Sequence, residues 1–186
     1  MPAEYEAKIL DIDPAAMTRL ILARGGRQLT EATLQRRFVY DIAAGDASRW
    51  IRLRSNGAET TIAVKHILHD GIDGLQEVEL AIAPPGRTSA DPFADTNTFL
   101  GMLGFVPKSY QENRRTSFLL DGAHLDIDEW PLIPPYLEIE ADTPEEVHRI
   151  AALLGYDPSQ LTSQNTTKIY TRYGIDLAQL AQVVFA

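Results

Sequence analysis

The feature that most restricts the fold is a charge of one sign recurring at every second residue in short runs of period two. Arg52 and Arg54 flank Leu53, Glu77 and Glu79 flank Val78, Asp126 and Asp128 flank Ile127, and Glu138 and Glu140 flank Ile139. The N-terminal run sets Glu4, Glu6 and Lys8 against Tyr5, Ala7 and Ile9. Residues i and i+2 of a strand share a face, so each run reads as a strand with one apolar and one charged side. The bland account is that the charged sides face solvent in an ordinary antiparallel sheet. Such a side usually mixes Thr, Ser, Gln and Lys, and like charges placed this close repel. A cation held between two glutamates, or an anion between two arginines, reverses that sign.

Runs of this period fall at 3–10, 36–43, 49–55, 60–67, 75–82, 114–120, 123–129 and 136–141. Helix signals lie between them. Asp13-Pro14 opens a helix over 14–24 that Gly25-Gly26 stops, and Asp91-Pro92 opens another ending near Gly101 or Gly104. Thr143-Pro144-Glu145-Glu146 has the sequence of a capping box, and Gly155 ends that helix. Two further helical stretches are expected near 163–173 and 176–185. Eight strands with interspersed helices make an α+β fold, not an alternating βαβ sheet. No linker divides the 186 residues, so the chain reads as one domain, 1–186, with 143–186 its helical C-terminal part.

If the charged sides point inward, the eight strands form a closed antiparallel β-barrel whose tunnel holds one small ligand, with helices packed outside. Carboxylates on one side and Lys/Arg opposite suit a metal–polyphosphate complex. Oxygen ligands favour Mg²⁺ or Mn²⁺, which keep waters and bridge to phosphate oxygens; the cations neutralise the remaining phosphate charge. The formal net charge of −9 argues against a nucleic-acid partner. It does not argue against a small polyanion if the cations are gathered in one place. No apolar run approaches the roughly 20 residues of a membrane span, and Met1 to Leu10 carries Glu4, Glu6 and Lys8, unlike a signal peptide. With no cysteine there are no disulfides or thiolate sites. A cytoplasmic protein without membrane or nucleic-acid partners is expected, and a homodimer stays open.

Glu4-Tyr5-Glu6-Ala7-Lys8 has the ExExK form that opens the CYTH domains, also called triphosphate tunnel metalloenzymes. The later runs follow that family in order: Trp50 to Ser55, Thr61 to Lys65, Gln76 to Leu80, Arg114-Arg115, Leu125 to Asp128 and Tyr136 to Glu140. The chain thus resembles the family from residue 4 to about 140, and helical 143–174 fits its C-terminal part. The resemblance implies Glu4, Glu6, Asp126, Glu138 and Glu140 as metal-facing carboxylates. It implies Lys8, Arg52, Arg54, Lys65 and Arg115 as phosphate ligands, joined by Lys168 as a late basic residue. Lys8, Glu138 and Glu140 form the implied catalytic set, while Glu77 and Glu79 orient cations or help bind metal. The family often has a lysine two residues before Arg115; this chain has Asn113, for which Lys108 or Arg114 is the substitute. Arg37 alternates with Val39 and Asp41 and faces either the tunnel or the solvent.

Three functions compete. The first is metal-dependent hydrolysis of a triphosphate compound, with inorganic tripolyphosphate favoured because no base-binding motif is evident. The second is class IV-type adenylate cyclase chemistry, converting ATP to cyclic AMP and pyrophosphate. The third is non-catalytic polyphosphate binding, against which the intact carboxylate set argues. There is no P-loop and no GxGxxG, and the Asp126 run fails as an EF-hand because Pro131 stands at the turn glycine. His66, His69, His124 and His148 lack metal-pair spacing. Trp130, followed by Pro131, reads as a packed turn tryptophan.

Overall fold

Alternating side chains set the strands and proline-led caps set the helices. The computed structural model describes residues 3–82 and 91–186, and of residues 3 and 4 only the backbone. The strands are β1 (Ala3–Ile9), β2 (Arg27–Gln28), β3 (Thr33–Asp41), β4 (Arg49–Ser55), β5 (Thr60–Ile67) and β6 (Leu75–Ala81). Then come β7 (Ser109–Leu120), β8 (Ala123–Glu129), β9 (Tyr136–Ala141), β10 (Leu161–Thr162) and β11 (Gln182–Val183). The helices are α1 (Pro14–Ala23), α2 (Pro92–Met102), α3 (Pro144–Leu153) and α4 (Thr166–Arg172).

The long strands run in the order β1-β6-β5-β4-β3-β7-β8-β9, with antiparallel neighbours throughout. β1 also pairs with β9, from Tyr5↔Ala141 to Ile9↔Leu137, whereas its junction with β6 is only Ala3↔Gln76 and Glu4↔Leu75. A sheet whose first strand meets both ends of the path must curl strongly. The fold is therefore α+β with a strongly curled antiparallel sheet. Register keeps the charged positions in rows on the concave side: Lys8↔Glu138 continues to Asp126, and Lys65 pairs across to Glu77. A slip of one residue would turn each row outward.

The convex side is apolar and carries helices. Ala7, Ile9, Leu125, Ile127, Leu137 and Ile139 pack with Met17 and Ile21 of α1 and Val147 and Ile150 of α3. Tyr40, Ile51 and Leu53 pack with Phe93 and Leu100 of α2. Each such side chain contributes roughly 1.5–3 kcal/mol on burial, so packing holds these short helices more than propensity does. Caps fix where they begin: Asp13 accepts from the Ala16 N–H at 2.7 Å, and Thr143 from that of Glu146 at 3.2 Å. A reciprocal capping box forms instead at Asp157, whose N–H donates to Gln160 Oε1 at 2.9 Å.

The C-terminal part departs from expectation. The helix expected at 176–185 is one 3₁₀ turn, Leu177–Gln179, followed by β11, and β10 lies between α3 and α4. Gln182 and Val183 pair in parallel with Tyr110 and Gln111 of β7. Leu177 and Val183 are buried with Trp130, Ile133, Tyr136, Ile169 and Tyr170, and that burial outweighs helix propensity. β7 also begins at Ser109, earlier than expected, and β3 at Thr33. Among the described residues no helix is long and apolar enough to cross a membrane.

Candidate active site

The concave face encloses a cavity of about 340 Å³. Its described lining holds eight cations, Lys8, Arg37, Arg49, Arg52, Arg54, Lys65, Lys108 and Arg115. It holds eight carboxylates as well, Glu6, Asp41, Asp70, Glu77, Glu79, Asp128, Glu138 and Glu140. The cavity is thus not a basic hole in an acidic protein but a set of sorted opposite charges. Asn165, Thr166, Thr167, Leu177 and Ala178 add a wall from the C-terminal segment.

On one side β1, β8 and β9 build a carboxylate network. Lys8 is buried with Nζ 2.6 Å from Glu6 and 3.0 Å from Glu138. Burial works against its ammonium, but Glu138 and Glu6 reverse the effect and hold it well above the ordinary lysine value. Burial likewise opposes the Glu138 carboxylate, yet Lys8 and Arg115 hold it well below the usual range. Arg115 donates to both oxygens of Asp128 (2.9 and 2.6 Å), to Asp126 at 2.6 Å and to Glu138 at 3.2 Å. Pairs of this kind are charge-assisted and directional.

The other side, from β3, β4, β5 and β6, gathers cations. Arg52 pairs with Glu77 at 2.7 Å and Glu79 at 2.6 Å, Arg54 with Glu79 at 3.2 Å, and Lys65 with Glu77 at 2.5 Å. Burial opposes the Glu79 carboxylate, but Arg52 and Arg54 pull it below its ordinary value. Glu77 and Glu79 thus pair with these three cations. Burial and the guanidiniums of Arg52, Arg54 and Arg115 push Arg37 down to about 9, and burial with Arg52 and Arg115 pushes Arg54 down to about 10. An arginine does not release its proton near neutrality, so the downward direction reflects desolvation and repulsion among closely set cations. A bound anion relieves that repulsion.

The structure sorts the sequence-derived residues. Glu6, Lys8, Arg52, Arg54, Lys65, Arg115, Glu138 and Glu140 line one cavity. Asp126 lies beside it, accepting from Arg115 and from Ser117 Oγ at 2.6 Å. Burial raises its carboxyl, with Arg115 countering and Asp128 and Glu138 adding to the rise. Lys168 is not on the lining: its Nζ lies 2.6 Å from Asp70. The side chain of Glu4 lies outside the described residues. Of the two expected substitutes for a lysine at 113, Arg114 stacks over Phe185, whereas Lys108 lines the cavity, paired with Asp41 at 2.8 Å. Arg37, whose alternation with Val39 and Asp41 is compatible with tunnel or solvent, and Asp128 both line the cavity, with Arg37 over the Trp130 ring at 4.5 Å. Alternation along 35–39 was the available signal for Arg37.

For Mg²⁺ or Mn²⁺ the donor set fits in its chemistry. The Glu140 carboxylate has no ion pair or hydrogen bond among the described residues, and burial, Glu138 and Glu6 raise it above the ordinary 4.5. No group of three His, Asp or Glu among the described residues is close enough to hold an ion unaided. Mg²⁺, however, commonly takes one or two carboxylates and completes its shell with water and phosphate oxygens. Glu140 with Glu138 or Glu6 suits such an ion.

No family model matches the sequence, and no curated protein matches it. Solved structures do resemble the fold. A Vibrio parahaemolyticus protein provisionally assigned as an adenylate cyclase is 14% identical at TM-score 0.72, covering 91% of this chain and 98% of that one. A conserved hypothetical protein of Pyrococcus furiosus is 19% identical at TM-score 0.70, over 88% and 98%. The Hippeastrum protein HpAC1, an assigned adenylyl cyclase described with a dominant triphosphatase activity, is 20% identical at TM-score 0.56, over 97% and 100%. At these identities the likeness is one of fold.

Proposed function

We propose, from a fold of the CYTH or triphosphate-tunnel type and the sorted charges of its cavity, that this chain is a metal-dependent triphosphatase. In this reading the curled sheet closes into an eight-stranded tunnel, and inorganic tripolyphosphate is the favoured substrate. The observation that carries the proposal is the group of mutually repelling guanidiniums at Arg37, Arg52 and Arg54, buried or partly buried, that shares one cavity with the carboxylates Glu6, Glu138 and Glu140. Eight carboxylates in the lining would oppose a bare polyanion; a metal–polyphosphate complex offers partners to both sets.

Arg37, Arg52, Arg54, Lys65 and Arg115 hold the phosphate oxygens and withdraw the charge that builds on the leaving group. Glu140 with Glu138 or Glu6 would hold Mg²⁺ or Mn²⁺, which would supply charge neutralisation to the phosphates when bound. Lys8 keeps its proton because Glu138 and Glu6 hold it charged, so it acts as a donor to phosphate and not as a base. A lining carboxylate that does not hold the ion orients the attacking water and receives its proton. A new P–O bond to water forms as the bridging P–O bond breaks, leaving pyrophosphate and phosphate.

The test is purified protein with Mg²⁺ or Mn²⁺ against tripolyphosphate, ATP and thiamine triphosphate, following phosphate and cyclic AMP together. Phosphate release from tripolyphosphate is expected. Cyclic AMP without phosphate would overturn the proposal in favour of a cyclase, and tight binding without turnover would make the chain a polyphosphate binder.

A further inference from the structure

We infer that Asn113 is a positioning residue for the anion site: its buried amide fixes Arg37 on Trp130 and ties it to the carboxylate that holds Arg115. The inference deepens the triphosphatase reading and rests on it for the identity of the anion. Asn113 is fully buried on β7. Its Oδ1 accepts from Arg37 Nη2, and its Nδ2 donates to Asp128 Oδ1 at 2.7 Å. Both partners fix the orientation of the amide, because arginine only donates and a carboxylate only accepts. Asp128, itself fully buried, receives Arg115 Nε at 2.9 Å and Nη2 at 2.6 Å. One side chain therefore links two cavity cations through a single carboxylate.

Arg37 needs such a tether. It stands among Arg52, Arg54 and Arg115, which repel it, and no ion pair of its own is found among the described residues. Its Nε is buried without a hydrogen-bond partner, and its guanidinium lies 4.5 Å from the centre of the Trp130 ring. A cation at this position would add to the repulsion, and an apolar residue would leave Arg37 and Asp128 each one bond short. An amide answers both without adding charge. The Arg37 donors other than the buried Nε and the one held by Asn113 stay available to an anion in the cavity.

The experiment uses the full chain. Trp50 and Trp130 are its two tryptophans, so Trp50→Phe leaves Trp130 as the emission probe. In that background Arg37→Met removes the cation from the ring and changes emission, and Asn113→Leu is expected to give the same change. Parental emission in Asn113→Leu overturns the inference. Should Asn113→Leu fail to fold, Asn113→Ala, which removes both bonds without adding bulk, is expected to give the emission of Arg37→Met; parental emission overturns the inference. Calorimetry with tripolyphosphate and Ca²⁺, which takes carboxylate and phosphate oxygens as Mg²⁺ does, in the protein that retains Trp50, gives a second arm. Asn113→Leu and Arg37→Met should each weaken binding by roughly tenfold, as for a hydrogen bond to a charged group, and the double variant should bind no worse than Arg37→Met. Multiplying losses would mean that Asn113 acts independently of Arg37, against the inference. If the parent binds no tripolyphosphate, the function reading falls while the emission arm still decides the role of Asn113.

Discussion

Lys8→Met removes the cation at the centre of the carboxylate network. Lys8 is 2% exposed, with Nζ 2.6 Å from Glu6 and 3.0 Å from Glu138, so the change strands two acids at once. Breaking a buried pair by deleting one partner costs about 3–5 kcal/mol. Glu138 keeps Arg115 at 3.2 Å, and Glu6 opens onto the cavity, which places the cost at the low end, about 3 kcal/mol. Against a total of about 5–15 kcal/mol for a domain, the variant remains folded but measurably weaker. The pH dependence follows from the direction of the Glu138 shift. In the parent, Glu138 is depressed, so its contribution is complete above the ordinary 4.5 and is lost as pH falls through the depressed folded value. Lys8→Met removes the largest of the causes that lower it, and Glu138 rises. The deficit should therefore be greatest near neutral pH and shrink as pH falls through the raised value of the variant. Urea unfolding between pH 7.5 and pH 4 reads this directly. A deficit below about 1 kcal/mol, or one unchanged across that range, would refute the reasoning, since exposed pairs behave that way.

Glu140→Gln removes a carboxylate that Glu138 and Glu6 disfavour; scanning calorimetry at pH 7.5 without metal should show a melting temperature higher by about 1–3 °C, while metal-dependent turnover is lost. The parent should also gain from this group as pH falls through its raised value, and a lower melting temperature in the variant would contradict the assignment. Gly74→Ala puts a Cβ 1.9 Å from the His69 carbonyl oxygen, so the 68–74 loop on the cavity wall must open; faster proteolysis within that loop and weaker tripolyphosphate binding are expected. Tyr170→Phe removes the bond from the buried hydroxyl to the Pro131 carbonyl at 2.7 Å, which should cost about 1–2 kcal/mol in urea unfolding and leave turnover intact.

Among the strands that alternation located well, β4, β8 and β9 trade charged and apolar residues over 51–54, 125–128 and 137–140. The first half of β7 carries no such signal. Ser109, Tyr110, Gln111, Glu112 and Asn113 are nearly all polar, because one side lines the cavity and the other meets the C-terminal segment. The stretch after Asp176 shows helical spacing at Leu177, Leu180 and Val184, but its fate depends on the aromatic cluster around Trp130 and on an edge of β7 far away in sequence. The same limit applied to the site. Like-charge repeats at i and i+2 identify the charged face from local sequence alone. The link from Arg37 through Asn113 to Asp128 joins residues 76 and 15 positions apart, and only sheet order brings them together. Lys168 shows the converse, a basic residue in a plausible place whose charge is taken up by Asp70.

Phosphate release from tripolyphosphate, measured side by side for the parent and Glu138→Gln with Mg²⁺, with Mn²⁺ and with EDTA, bears most directly on the central claim. The account expects turnover in the parent only when metal is present, and none in a Glu138→Gln protein that stays folded by circular dichroism. Full activity in Glu138→Gln, or parental turnover that persists in EDTA, would contradict it.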